Sequence, residues 1–168
     1  EPLIAVAASF IDASRPQDTM TVQVLAQMVA AMNALRISPL TGAPMTAALN
    51  TGDSADSRNS LELRWCIDML DGEAVVPNSG KRGEYQGVQV WEEADYVYHP
   101  DNPNLNDFGA RGFPTLPGVL QSAVDQEVSS VGLAVPWYTV YGNHDTLFMG
   151  NIQVESALAS WAINDRKS

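Results

Sequence analysis

The chain has 168 residues, with 20 Asp and Glu against 9 Lys and Arg, for a formal net charge of −11 at pH 7. That length suits one globular domain, and a hydrophobic fraction of 45% is ample for a core, which excludes a disordered acidic tail. The acidic balance disfavours nonspecific nucleic-acid or anionic-membrane binding, both of which run on Lys and Arg.

The apolar run Leu3 to Ile11 opens the chain and reads as a buried strand or a short buried helix. It has the length of a signal-peptide core. Glu1 and Pro2 stand where Lys or Arg should precede one, however, and no small-residue cleavage site follows. No stretch is long enough to span a membrane. A helix is predicted from about Thr19 to Leu35, capped by Asp18 or Thr19, with Val22, Leu25, Met28, Val29, Met32 and Leu35 on one face. Its methionines read as core. Pro39, Gly42 and Pro44 make the turn that follows, and Met45 to Asn50 reads as a short buried strand.

A second helix is predicted from Asn59 to Leu70. Asn59 and Glu62 stand at capping-box spacing, and Gly72 stops the helix. Apolar residues on more than one side (Leu61, Trp65 and Met69; Leu63 and Ile67) predict broad burial, and Cys66 reads as a buried small hydrophobe. From Glu73 to Val135 repeated Pro and Gly break the chain into a long irregular excursion, with helical texture only at Gly118 to Gln126. Trp137 to Tyr141 is a strong strand, and a last amphipathic helix is predicted over Gln153 to Ile163. Two strands joined through a helix give an α/β class with parallel pairing. Sites in such sheets form at the carboxyl ends of strands.

Two polar loops stand at those ends. In Gly52-Asp53-Ser54-Ala55-Asp56, a carboxylate directly after a buried strand is held rigidly and partly desolvated, which favours metal coordination. An Asp that merely caps the next helix is the plainer reading. A calcium loop of the helix-loop-helix type fails on Asp53, Ala55 and Ser57 at its alternate positions. In Gly142-Asn143-His144-Asp145, the Asn offers an amide oxygen and the His is an acid or a ligand, with Asp145 able to orient it. A turn with a surface His is the plainer reading there.

Gly52-Asp53-x-x-Asp56 and Gly142-Asn143-His144-Asp145 resemble the second and third signature blocks of the calcineurin-like metallophosphoesterases. The phrases Asn50 to Asp56, Glu62 to Trp65 and Pro136 to Asp145 are similar to a bacterial subgroup of that family, over about Arg15 to Asn151. The resemblance implies a partial αββα sandwich and hydrolysis of a phosphomonoester or phosphodiester at a site of two divalent metal ions (Mn, Fe, Zn or similar). Asp53 would bridge the metals and Asn143 would bind one of them. His144 would approach the scissile phosphate as general acid or transition-state stabiliser, oriented by Asp145, with Asp56 in support.

The family's first block, Asp-x-His, is absent. Asp12-Ala13-Ser14 imitates it poorly, because Ser14 is a weak replacement for a His ligand. The later His and Gly-His-x-His blocks are missing too, the only histidines being His99 and His144. Either the missing blocks lie before Glu1 and after Ser168, or the protein is a noncatalytic degenerate relative that binds or serves structure. The fragment is the expectation, as one partial domain with an insertion at about 73–135. Within the insertion, Tyr85, Trp91, Tyr96, Tyr98 and His99 either meet substrate or pack its own small core. Arg64 on the second helix either supports the site through phosphate or Asp145, or makes a helix-face ion pair.

Overall fold

The computed structural model describes residues 18–56, 58–78, 81–102, 104–105 and 108–146. The apolar run at 3–11, Asp12 and the helix expected at 153–163 lie outside them. The described chain mixes helices with a few short strands and divides into two compact units, one of residues 22–78 with 127–146, the other of 18–21 with 81–126.

Helix α1 spans Thr21–Leu35, and from Val22 on it belongs to the first unit. Its inward side holds Val22, Leu25, Ala26 and Val29, whereas Met28 and Leu35 are exposed. The buried stripe is therefore rotated from the predicted one. Asn33 explains the rotation: its Nδ2 donates to the Gly132 carbonyl (2.7 Å) and its Oδ1 accepts from the Ala134 N–H (2.8 Å), which draws a polar residue inward. Strand β1 covers Ala48–Asn50. Within 45–50 only Ala48 is buried, and Leu49 is 77% exposed, so the expected buried strand is mostly bare.

Helix α2 spans Ser60–Asp71. Asn59 caps it, its Oδ1 accepting from the N–H groups of Leu61 (3.0 Å) and Glu62 (3.2 Å), which satisfies two of the first-turn donors that have no helical partner. Gly72 closes it in the left-handed region. Met69 is fully buried and, with Ala26 and Val75, forms the core against which Trp65, Leu25 and Val128 pack.

Strands β2 (Ala74–Val75) and β3 (Val128–Ser129) pair antiparallel. Both fall at the ends of the predicted irregular excursion, so its edges belong to the first unit and the irregular part is 81–126. Strand β4 (Trp137–Thr139) runs parallel to β1, with Ala48, Leu49 and Asn50 opposite Trp137, Tyr138 and Thr139. A further bond from Val140 N–H to the Asn50 carbonyl (3.2 Å) carries the ladder to the strand ends. The Trp137 indole N–H donates to Asp71 (2.9 Å), tying β4 to the end of α2.

The second unit is held by turns, a short helix α3 (Val119–Asp125) and an aromatic cluster of Tyr98, Phe108 and Phe113, with ring centroids 5.1 to 6.0 Å apart. His99 is 2% exposed. Its Nδ1 faces the Gln89 carbonyl (2.6 Å) and its Nε2 the Ala94 carbonyl (2.8 Å). Gln89 in turn donates to the Tyr98 carbonyl, and the Tyr98 hydroxyl to the Pro114 carbonyl. Tyr98 and His99 thus pack the unit's own core, as one of the two sequence readings has it, while Trp91 stays half exposed.

Candidate strand-end site

Because β1 and β4 are adjacent and parallel, the loops that follow them emerge side by side. Gly52 (φ +105°) and Gly142 make this approach possible. A Cβ on Gly52 would overlap the Gly142 backbone, and a Cβ on Gly142 would overlap Asp53. The contact is main chain on main chain, which only glycine allows.

Carboxylates lock the two loops together. Asp145 Oδ2 accepts from the N–H groups of Asp53 (2.8 Å) and Gly142 (2.7 Å), and its Oδ1 accepts from Ala55 N–H (2.8 Å). In the other direction, Asp53 Oδ1 accepts from His144 N–H (3.0 Å). Hydrogen bonds to a charged acceptor contribute about 1.5–3 kcal/mol each, toward the lower end where solvent reaches them. Four such bonds therefore outweigh any single exposed ion pair nearby. Asp53 is exposed and sits at φ +56°, an uncommon region for a residue other than glycine. Its N–H and one carboxylate oxygen are both hydrogen-bonded to the facing loop. The partial desolvation expected of it is not observed.

The imidazole of His144 has a different partner from the one expected. Its Nδ1 lies 3.1 Å from Asp56 Oδ1, while both oxygens of Asp145 are engaged by backbone donors. Asp56 therefore orients the ring, and Asp145 joins the loops. Facing a carboxylate, Nδ1 carries its proton and donates, which leaves Nε2 as the ring's remaining acid–base atom. Glu62 supports Asp56 by accepting its N–H (2.7 Å). The capping-box spacing flagged Glu62, but its target is Asp56 rather than Asn59.

Arg64 donates from Nε to Asp68 Oδ1 (2.8 Å) one helical turn away, and this bond is the main cause raising its pKa. It makes the helix-face ion pair, and the structure does not bring it to Asp145. Residues missed in the sequence are Asn50 and Ser54. Asn50 Oδ1 accepts from Gly52 N–H (3.2 Å) and its Nδ2 donates to Ser54 Oγ (2.8 Å). The signal was an Asn two residues before a Gly, the pattern of a side-chain-closed turn. Ser54 also bonds the Cys66 thiol; burial is the largest effect on that thiol and raises its pKa, while the Ser54 bond lowers it.

The donor chemistry bears on a metal. Asp53 has one oxygen held by His144 N–H and no bond among the described residues on the other, and the exposed Asn143 amide stands in the facing loop. These are two oxygen donors of the kind hard divalent cations take. Among the described residues, no three His, Cys, Asp or Glu side chains gather into a cage. No helix of the described residues is long and apolar enough to cross a membrane. No protein-family model, curated protein or solved structure matches the chain.

Proposed function

We propose that the two strand-end loops form part of the active site of a metal-dependent phosphoesterase of the calcineurin-like type, within an αββα sandwich, acting on a phosphomonoester or phosphodiester. The observation that carries this reading is the pairing of Asp53 with the His144 main chain at the ends of adjacent parallel strands. Asp53 and Asn143 would hold divalent metal, with further ligands supplied from beyond these loops. Bound there, divalent ions polarise phosphoryl oxygens and lower the pKa of water.

This chain's own residues do the rest. His144, its Nδ1 held by Asp56, presents Nε2 as the proton donor to the oxygen leaving phosphorus, the task of a general acid. Asp53 and His144 stay in fixed relation because a main-chain bond links them, and fixed placement is the protein's larger contribution to phosphoryl transfer.

The test uses the protein that carries this sequence, with Mn²⁺ binding and hydrolysis of p-nitrophenyl phosphate and bis(p-nitrophenyl) phosphate measured side by side. His144→Ala is expected to keep the metal and to lower kcat by about 100-fold or more, whereas Asp53→Asn loses the metal. A protein that binds no divalent ion and cleaves neither ester would sink the proposal.

A further inference from the structure

Asp145 directly follows the histidine of the proposed site, yet it does not serve that ring. Its carboxylate gathers three N–H groups from three peptide units: Asp53 and Ala55 in the first loop and Gly142 in the second. No other side chain among the described residues joins backbone of both loops in this way. The return bond, His144 N–H to Asp53 Oδ1, closes a reciprocal exchange in which each loop's carboxylate accepts from the other loop's main chain.

The peptide units so held are the ones that carry chemistry. Holding Asp53 N–H fixes the residue at its φ of +56°, and so fixes where its carboxylate begins. Holding Gly142 N–H sets the entry to Asn143 and His144. The glycine pair permits close approach of the loops but supplies no attraction, since a missing Cβ only removes a clash. The attraction comes from the carboxylate, whose bonds to N–H donors are short and charge-assisted.

We infer that Asp145 is the positioning residue of this site, clasping the β1 and β4 loops through three backbone N–H groups so that Asp53 and His144 meet the substrate in register. Its catalytic consequence rests on the phosphoesterase reading, whereas the clasp itself does not. Asp145 touches no substrate in this scheme. It acts through Asp53 and His144, and a misplacement on the order of 1 Å is enough to cost about 100-fold in rate.

Amide hydrogen exchange followed by NMR tests the clasp directly, with Ser54 as an internal reference. Ser54 lies between Asp53 and Ala55, and no bond among the described residues holds its N–H. In the wild-type chain the Asp53, Ala55 and Gly142 amides are expected to exchange at least about tenfold more slowly than Ser54, the separation a single well-made bond supports. Asp145→Asn, which keeps size and removes charge, is expected to erase that protection. Ala48 and Val140 amides, bonded in the β1–β4 ladder, should be unchanged. In the same variant kcat for p-nitrophenyl phosphate with Mn²⁺ falls about 100-fold with KM little altered, under conditions where circular dichroism shows full folding. Asp71→Ala, which removes the Trp137 tie to α2, is the control for general loosening and leaves the three amides and kcat as in wild type.

Three amides as fast as Ser54 in the wild-type protein, or unaltered in Asp145→Asn, overturn the inference, as does wild-type kcat in that variant. If Asp145→Asn does not fold, the wild-type exchange pattern alone decides. A wild-type protein without turnover overturns the phosphoesterase reading instead, and the exchange pattern still decides the clasp.

Discussion

The loops at 50–56 and 142–146 and the irregular stretch 81–126 each contain a histidine, and the polar groups around the two rings differ in kind. Around the strand ends, carboxylates of Asp53, Asp145 and Glu62 accept from backbone N–H groups. In 81–126 the ring of His99 and the side chains of Gln89 and Tyr98 face backbone carbonyls. His99 has both ring nitrogens committed and is buried, whereas His144 has one on Asp56 and is only partly buried. A histidine with every nitrogen engaged inside a core is a cross-link. One with a nitrogen in reserve at a loop edge can still move a proton.

The largest expected effect comes from breaking the contact on which the strand-end region depends. Gly52→Ala places a Cβ on the Gly142 backbone, at a φ that alanine resists. Overpacking against main chain and the backbone penalty together predict a loss of about 3 kcal/mol, read from the urea midpoint at constant m-value. Tolerance of alanine there would mean that the loops do not touch, and the contrast with 81–126 would lose its basis.

His99→Ala probes the other region. It removes a buried ring whose nitrogens face two carbonyls, and with it the N–H donated to one of them, for an expected cost of about 2–3 kcal/mol. The loss should show as faster amide exchange across 81–126, with the Asp53, Ala55 and Gly142 amides unaffected. Faster exchange of those three amides in this variant would instead show that His99 also serves the strand-end loops, and the division between the two histidines would have to be redrawn.

What could be read in the sequence follows from how local each determinant is. The α2 cap was legible because Asn59 and Gly72 act within a few residues of themselves. The apposition of the two loops was legible too, since a polar motif after each of two parallel strands has only one end of the sheet to occupy. The partner of His144 was not. Asp145 is adjacent in sequence, but two of the three N–H groups that hold its carboxylate belong to residues about 90 positions away, and no spacing rule carries that information. The buried side of α1 was misjudged for a similar reason. Apolar periodicity counts Met28 and Leu35 as core, while Asn33 is drawn inward by the main chain of 132–134. Strands β2 and β3, two residues each, are too short to leave a periodic trace.

The smallest effect belongs to Cys66, the thiol on α2 beneath the first loop, and it sharpens the comparison from the strand-end side. Burial is the main cause raising its pKa above the ordinary thiol range; the charge of Asp145 adds to the rise and the bond with Ser54 opposes it. A thiol with a raised pKa carries less thiolate at pH 8, and thiolate is the reactive form. Alkylation of the native protein by iodoacetamide should therefore run slower than that of the urea-unfolded chain. The linkage has a definite sign. Because the folded state binds the thiol proton more tightly, this contribution to stability is fully present below the unfolded thiol pKa of about 8.5. It is lost as pH rises through that value toward the folded one. Wild type should consequently lose stability over this alkaline window more steeply than Cys66→Ala. Equal slopes, or native alkylation at the unfolded rate, would show that folding does not bury the thiol. The Asn50–Ser54–Cys66 chain of contacts beneath the loop would then have no part in holding Asp53.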